Sequence, residues 1–226
     1  MIQALIFDFD GLILDTEEPI FRSWEEIYQI YHLKLDLERW ADTIGRSEAE
    51  APFDPKQDLD ERLGARLDWD SIEPRRRQRE LDLIAVQPVL PGVENYLITA
   101  RRLGLKVGLA SSSDIHWVAG HLDRLGLSGY FDCLRTSDDV RYTKPAPDLF
   151  LSTLECLDVS AREAVVFEDS PNGILASKRA GIFCVAVPNP LTAHLDVDQA
   201  DLRLNGLSEM SLEELLGLVQ TTLSNV

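Results

Sequence analysis

The stretch of sequence that decides the fold is LIFDFDGLILDT, residues 5–16. Its apolar start is typical of a short buried strand, and Asp8 ends that strand. Asp10 follows two positions later, next to Gly11, where the chain must turn. A helical pattern then begins near Glu17, with apolar residues recurring at helical spacing. The stretch therefore predicts a buried strand that carries two carboxylates at its carboxyl end.

Composition and charge limit the classes of partner. The chain has 226 residues and is 45% hydrophobic, enough to form a substantial core. Its net charge of −17 opposes binding to a nucleic-acid backbone or an anionic membrane, so neither is an expected partner. No apolar run is long enough to cross a bilayer, and the first residues lack the basic start of a secretory signal. An anionic substrate would need local positive charge from a metal ion, a lysine or a helix N-terminus.

The three cysteines bear on the cellular compartment. Cys133, Cys156 and Cys184 are odd in number, scattered, and without CxxC spacing. This pattern predicts neither a disulfide framework nor a zinc site, and it favours a cytoplasmic location.

The chain beyond the first strand has two parts of different character. Residues 17–87 are charged, are interrupted by prolines and lack a convincing strand, which predicts a small helical insertion. From Pro91 onwards helices and strands alternate, a pattern that predicts a parallel sheet covered on both faces. The expected strands after the first are 105–110, 130–134, 164–167, 183–187 and a late one at 202–204. The expected helices are 91–103, 114–125, 147–157, 171–180 and 211–218. We therefore predict an α/β fold whose doubly wound, Rossmann-like core comprises residues 1–16 and 88–226.

Polar side chains follow several of these strands, where ligands of a doubly wound sheet bind. They are Asp8 and Asp10 after the first strand, Ser111–Ser113 after the second, Glu168 and Asp169 after the strand at 164–167, and Lys144 in the loop before a helix. Carboxylates placed together repel one another unless a cation lies between them, and oxygen ligands suit Mg²⁺. Asp8 and Asp169 are the expected side-chain ligands of that ion.

The same residues predict phosphoryl transfer. With the charge offset by Mg²⁺ and Lys144, Asp8 can attack a phosphoryl group and form an aspartyl-phosphate. Asp10 lies close enough to protonate the leaving alkoxide and later to deprotonate the attacking water. Ser111 can bond a phosphoryl oxygen, and backbone N–H groups near Ser112, at the start of the following helix, can bond others. The expected partner is a small phosphorylated metabolite.

Each residue taken alone also has a structural interpretation. An aspartate after a strand is usually a turn residue, and serines before a helix are usually caps. Their joint occurrence at the strand ends, in one ordered series, favours the catalytic interpretation.

Four motifs in this order resemble those of the haloacid dehalogenase superfamily of hydrolases, in the subfamily with a helical cap inserted after the first strand. They are DFDGLILDT at 8–16, LASSS at 109–113, KPAPD at 144–148 and FEDSPNG at 167–173. The resemblance covers nearly the whole chain and is weakest in the cap. It implies that the core spans residues 1–16 and 88–226 and that residues 17–87 are the cap.

The resemblance also implies roles for individual residues. Asp8 would be the nucleophile and a Mg²⁺ ligand, and Asp169 a further ligand. Asp10 would be the acid/base, with its backbone carbonyl on the metal; it separates this chain from the dehalogenases proper. Glu168 would support the metal shell.

Two of the matching residues would bind the phosphoryl group, Ser111 and Lys144. In relatives the peptide bond corresponding to Lys144–Pro145 can be cis, and the same is expected here.

The nearest branch by motif comprises the β-phosphoglucomutase-like enzymes and the sugar-phosphate phosphatases. This chain has Ile20, Ile44 and Glu48 where the mutases carry a histidine, a lysine and an arginine. A mutase needs a second phosphate site in its cap, and these residues are poor material for one. The sequence therefore favours a phosphatase, with a phosphomutase as the alternative.

A receiver-like signalling module or another non-catalytic binding module is a third interpretation. Receiver domains also place acidic residues, a hydroxyl and a lysine around Mg²⁺. They are about half as long, lack a helical insertion, and carry the acceptor aspartate after a middle strand, unlike Asp8.

Some residues outside the four motifs or at their ends are expected to contact substrate, and others to be structural. Thr16, Arg46 and Ser47 are the candidate substrate contacts. The basic cluster, residues 75–79, is expected to form a solvated helix face, because consecutive helical residues point in different directions. Trp24, Trp40 and Trp117 are expected to pack in the interior.

Overall fold

The structure is a computed structural model that describes residues 1–44, 51–193 and 195–224. Its strands are β1 (Ala4–Phe7), β2 (Lys106–Ala110), β3 (Cys133–Arg135), β4 (Ala164–Glu168), β5 (Phe183–Ala186) and β6 (Leu202–Arg203). Its α-helices are α1 (Glu17–Ile30), α2 (Leu37–Ala41), α3 (Pro55–Leu63), α4 (Trp69–Ala85), α5 (Val93–Arg102), α6 (Ile115–Leu125), α7 (Asp148–Leu157), α8 (Pro171–Arg179) and α9 (Leu212–Ser224).

The six strands form one parallel sheet in the order β3-β2-β1-β4-β5-β6. β1 is fully buried, and its side chains alternate between the two faces. Leu5 and Phe7 belong to one hydrophobic cluster, whereas Ala4 and Ile6 belong to another on the opposite face. Helices cover both faces, so the predicted doubly wound α/β fold is confirmed.

Helices α1–α4 lie between β1 and α5 and have their own core. Its buried members are Trp24, Tyr28, Leu35, Trp40, Ile44, Phe53 and Leu59. α1 packs directly against α4. We propose to treat residues 17–87 as a single helical cap on the sheet domain.

The third strand and the last helix differ from their predicted bounds. The chain forms a 3-10 turn at Ser128–Tyr130, so pairing with β2 begins only at Cys133, not at residue 130. α9 extends to Ser224 instead of ending at residue 218, with Val219 fully buried in its second half. No helix in the described part of the chain has both the length and the apolar character that a bilayer crossing requires.

The expectation about cysteines was wrong for one pair. Cys133 in β3 and Cys156 in α7 form a disulfide with their Cα atoms 6.3 Å apart. The two residues are 23 positions apart in sequence, and the packing of α7 on β3 brings them together. The spacing of the cysteines along the sequence does not show which elements pack together. Cys184 is a free, buried thiol.

Candidate active site

Four of the predicted site residues, Asp8, Asp10, Ser111 and Asp169, lie at the carboxyl ends of β1, β2 and β4. β1 pairs with β2 on one side and with β4 on the other, so the residues after these three strands are neighbours. The turn after β1 depends on Gly11, which adopts a φ of +80°. A Cβ atom at this position would lie 2.3 Å from Asp169 Oδ2 and 2.6 Å from Asn189 Nδ2. Only glycine therefore allows the turn to approach the β4 loop this closely.

Three buried carboxylates form a cluster at this edge of the sheet. One oxygen each of Asp8, Glu168 and Asp169 lies within 4.8 Å of the others. Lys144 enters the cluster with its Nζ 2.5 Å from Asp8 Oδ1 and 2.6 Å from Glu168 Oε1. Among the described residues it is the cation that pairs with this cluster. With all three carboxylates ionised, their charge would exceed that of the one ammonium by two, out of water.

The pKa values express this imbalance. Burial, and next the charge of Glu168, raise the pKa of Asp8 to about 8 even though Lys144 acts in the opposite direction. Burial and the charge of Asp8 raise the pKa of Asp169 well above its usual value. Burial alone would lower the pKa of Lys144, but Asp8 and Glu168 outweigh it and raise that pKa. A divalent cation bound by oxygen ligands is the group that balances this cluster, so the residues fit a metal ion such as Mg²⁺.

The carboxylates of the cluster are held by neighbours on the same loops. Glu168 Oε2 accepts hydrogen bonds from the backbone N–H and the hydroxyl of Ser170, at 3.3 and 3.1 Å. A Cβ at Gly173 would lie 1.9 Å from the Glu168 carboxylate, so α8 can pass this close only because residue 173 is glycine. Asn189 Nδ2 donates to Asp169 Oδ2 at 2.7 Å. Asn189 was not predicted to belong to the site, because it follows β5 without any motif.

Asp10 lies apart from the acidic cluster and is held by four donors. They are Thr16 Oγ1 at 2.9 Å, Ser111 Oγ at 3.2 Å, Ser113 Oγ at 2.7 Å and Trp117 Nε1 at 2.9 Å. Thr16, considered above as a substrate contact, thus contacts Asp10. Ser113 was placed at this edge from the sequence but given no role of its own, and Trp117 was expected only to pack. The sequence did contain a signal for the contact between Trp117 and Asp10. Trp117 falls in the first turn of the helix that follows Ser111–Ser113, and that turn starts at the sheet edge.

A cavity of about 700 Å³ lies between the cap and the sheet edge. Its floor includes Asp8, Asp10 and Lys144, and its side includes Ser112 and Ser113. Ser111 is fully buried beside them. The volume is typical of a site for a small molecule.

The basic cluster of the cap was only partly predicted. Arg75 and Arg79 are exposed, as expected for a solvated face. Arg76 is buried and Arg77 half-buried, and both line the cavity. The expectation was wrong for these two, because α4 turns one face to α1 and to the cavity while its other face meets water.

The remaining predictions concern a peptide bond and the cap. The peptide bond between Lys144 and Pro145 is cis, so that prediction is confirmed. Ile20 and Ile44 line the cavity. Arg46, Ser47 and Glu48 lie outside the described residues.

The family model described as haloacid dehalogenase-like hydrolase matches residues 5–187. The chain belongs to this family. Its curated relatives include "Putative phosphatase YhcW" of Bacillus subtilis, 45% identical over 96% of this chain and 97% of that protein. Hexitol phosphatase B of Escherichia coli is 32% identical over 96% of this chain and 97% of its own length. A solved structure, CbbY from Rhodobacter sphaeroides in complex with phosphate, is 28% identical and has a TM-score of 0.72, covering 95% of this chain and 99% of CbbY.

These likenesses confirm the predicted enzyme class, a haloacid dehalogenase-like hydrolase that acts on phosphate ester bonds. The fold is shared more widely. The β-phosphoglucomutase of Clostridium difficile has a TM-score of 0.77 at 24% identity, over 99% of this chain and 100% of that one. The acidic cluster of this chain can hold a metal ion.

Proposed function

We propose that the protein is a Mg²⁺-dependent phosphatase of a small phosphomonoester such as a sugar phosphate. The observation that carries the proposal is the position of Asp8, which lies on the cavity floor, contacts Lys144 and belongs to a cluster of buried carboxylates. The names of relatives, hexitol phosphatase among them, support a phosphorylated polyol or sugar as substrate. Another relative, 36% identical, is named fructose-1-phosphate phosphatase.

The metal would be held by residues at the ends of β1 and β4. Asp8 and Asp169 would supply side-chain oxygens, and Asp10 its backbone carbonyl. Glu168, which contacts Lys144 and Ser170, would lie next to these ligands and support their positions. A bound Mg²⁺ would offset the carboxylate charge and neutralise charge on phosphoryl oxygens.

The first step is attack by Asp8. Lys144 holds Oδ1 of Asp8 and so fixes the carboxylate at the cavity floor. An oxygen of Asp8 forms a bond to phosphorus while the bond from phosphorus to the ester oxygen breaks. Asp10 donates its proton to that leaving oxygen, and Ser111, Ser112 and Lys144 bind the phosphoryl oxygens.

The second step returns Asp8 to its starting state. Asp10, now ionised, takes a proton from a water molecule that attacks phosphorus. The bond from phosphorus to Asp8 breaks, and inorganic phosphate leaves. The four donors around Asp10 hold the carboxylate that serves both steps.

A phosphomutase would instead transfer the phosphoryl group to a second hydroxyl of the sugar. It needs a second anion site facing Asp8, and Ile20 and Ile44 place apolar surface on the cavity wall. We therefore favour water as the final acceptor. A cytoplasmic location stays a prediction, and the Cys133–Cys156 pair removes the cysteine argument for it.

A screen of phosphorylated metabolites, scored by phosphate release, tests the proposed function. We expect turnover of one or more sugar or polyol phosphates with Mg²⁺ and none with EDTA. Adding a trace of sugar bisphosphate distinguishes the mutase, which would form a sugar-phosphate isomer faster than free phosphate. Absence of release from every ester with Mg²⁺ present would contradict the proposal.

Trp117 is a positioning residue for Asp10 in this scheme. Trp117→Phe keeps the ring and removes the N–H that donates to Asp10 Oδ1. Because three other donors remain, we expect kcat to fall roughly 10-fold with KM little changed, consistent with the loss of one hydrogen bond to a charged group. The matched control is Trp69→Phe, which removes an indole donor to Asp60 elsewhere in the cap. Equal effects of the two substitutions would show that Trp117 acts only through packing.

A further inference from the structure

The loop after β5 brings a buried asparagine to the acidic cluster. Asn189 is 8% exposed, and its Nδ2 donates to Asp169 Oδ2 at 2.7 Å and to the backbone carbonyl oxygen of Gly11 at 3.4 Å. Asp169 follows β4, whereas Gly11 follows Asp10 in the turn after β1. One amide group therefore connects the two loops whose residues would hold the metal ion.

The orientation of the Asn189 amide group is fixed by its own loop. Asn189 Oδ1 accepts hydrogen bonds from the backbone N–H groups of Leu191 at 2.9 Å and of Thr192 at 3.1 Å. Only the oxygen of an amide can accept from two N–H groups, so its NH₂ end must face Asp169. The buried hydroxyl of Thr192 accepts from the backbone N–H of Asn189 at 2.9 Å. The direction of the donor thus depends on the loop itself and on no ligand.

Repulsion within the acidic cluster is what this donor opposes. Oxygens of Asp8, Glu168 and Asp169 lie within 4.8 Å of one another, so their ionised forms repel. Rotation of the Asp169 side chain away from the other two would relieve the repulsion, but it would also withdraw an oxygen from the place where the three can share a cation. The hydrogen bond from Asn189 opposes this rotation. The backbone of Gly11 packs against the same pair, since a Cβ there would lie 2.3 Å from Asp169 Oδ2 and 2.6 Å from Asn189 Nδ2.

We propose that Asn189 is a positioning residue for the metal site. It holds Asp169 in the orientation that binds Mg²⁺ and joins the loop after β4 to the turn that carries Asp10. The inference rests on the Mg²⁺ dependence of the proposed function and adds a residue to it. Groups that donate to metal-binding side chains typically contribute about 10-fold to 100-fold to metal affinity or activity. The effect of Asn189 should therefore appear first in the affinity for the metal.

Titration of the ligand-free protein with MgCl₂ alone measures this contribution. Asn189→Ser keeps a side-chain oxygen that can accept from the N–H groups of the loop, but its side chain is too short to reach Asp169. We expect the dissociation constant for Mg²⁺, measured by isothermal titration calorimetry, to rise about 10-fold or more. The Mg²⁺ concentration that gives half-maximal phosphate release should rise by a similar factor. Saturating Mg²⁺ should restore most of the wild-type kcat, because the ligands themselves are intact.

Thr192→Val is the matched control within the same loop. It removes the hydroxyl that accepts from the Asn189 backbone but keeps both N–H groups that orient the Asn189 side chain. We expect a lower melting temperature in EDTA, because a buried N–H loses its partner, and a dissociation constant for Mg²⁺ close to the wild-type value. Equal increases of the dissociation constant in both variants would show that only the stability of the loop matters, and would overturn the inference.

Asn189→Thr provides a second variant should Asn189→Ser fail to fold, since its hydroxyl can accept from the same loop and is equally short. A folded variant of either kind that bound Mg²⁺ as tightly as the wild-type protein would overturn the inference and leave the phosphatase function standing. Failure of the wild-type protein to bind Mg²⁺ would instead contradict the proposed function, and the inference with it.

Discussion

An Asp8→Asn variant is expected to release no measurable phosphate from any ester that the wild-type protein hydrolyses. Removing the carboxylate removes the nucleophile, so turnover should fall by at least roughly 1000-fold. The fold should survive, because an amide replaces a carboxylate that burial and Glu168 already disfavour in its charged form. Phosphate release in Mg²⁺ and the melting temperature in EDTA measure the two effects.

Asp158→Asn is the matched control for this substitution. Asp158 lies after α7 with a positive φ of 50°, a conformation that asparagine tolerates. It should leave turnover and melting temperature near the wild-type values. If Asp8→Asn kept more than a small fraction of wild-type turnover, Asp8 could not be the nucleophile.

Lys144→Met is expected to cause the largest loss of stability. Methionine keeps most of the length of the side chain but removes the charge that lies against Asp8 and Glu168. Breaking a buried ion pair from one side leaves uncompensated charge, so the free energy of unfolding in EDTA should fall by about 3–5 kcal/mol. Mg²⁺ should restore part of it, because an ion that binds the native state stabilises it. Urea unfolding with EDTA or with Mg²⁺ measures both quantities.

Lys178→Met is the corresponding change at the surface. Lys178 pairs with Asp201 at 2.6 Å, but both side chains are partly exposed. Its loss should cost about 0–1 kcal/mol, as for other exposed ion pairs. A Lys144→Met protein as stable as Lys178→Met in EDTA would contradict the view of Lys144 as the charge balance of the site.

The catalytic edge of the sheet was predictable because its residues follow strands. A run of apolar residues predicts a buried strand, and parallel strands place their carboxyl ends at the same edge of the sheet. Asp8, Ser111 and Asp169 could therefore be assigned to one edge of the sheet from the sequence. Lys144 was placed there by its motif, and the structure brings it into contact with Asp8.

Residues that depend on packing between distant elements could not be placed in this way. Trp117 reaches Asp10 only because α6 begins beside the end of β1, and Asn189 reaches Asp169 across the loop after β5. Arg76 is buried because α1 covers one face of α4, although Arg75 beside it in sequence is exposed. The Cys133–Cys156 bond likewise depends on α7 lying on β3. Linear patterns predict which face of one element is apolar, but not which partner covers a polar residue.

The central position of β1 in the sheet has a consequence for how the chain folds during its synthesis. β1 leaves the ribosome first among the strands, but its partners begin at Lys106 and Ala164. At roughly 5–20 residues per second, β1 waits on the order of ten seconds for β2 and longer for β4. During that time a fully apolar strand has both hydrogen-bonding edges open, a condition that invites aggregation. Residues 17–87 are synthesised in this interval, and the buried core that they share joins positions 24–59, so its local contacts can form before β2 is complete.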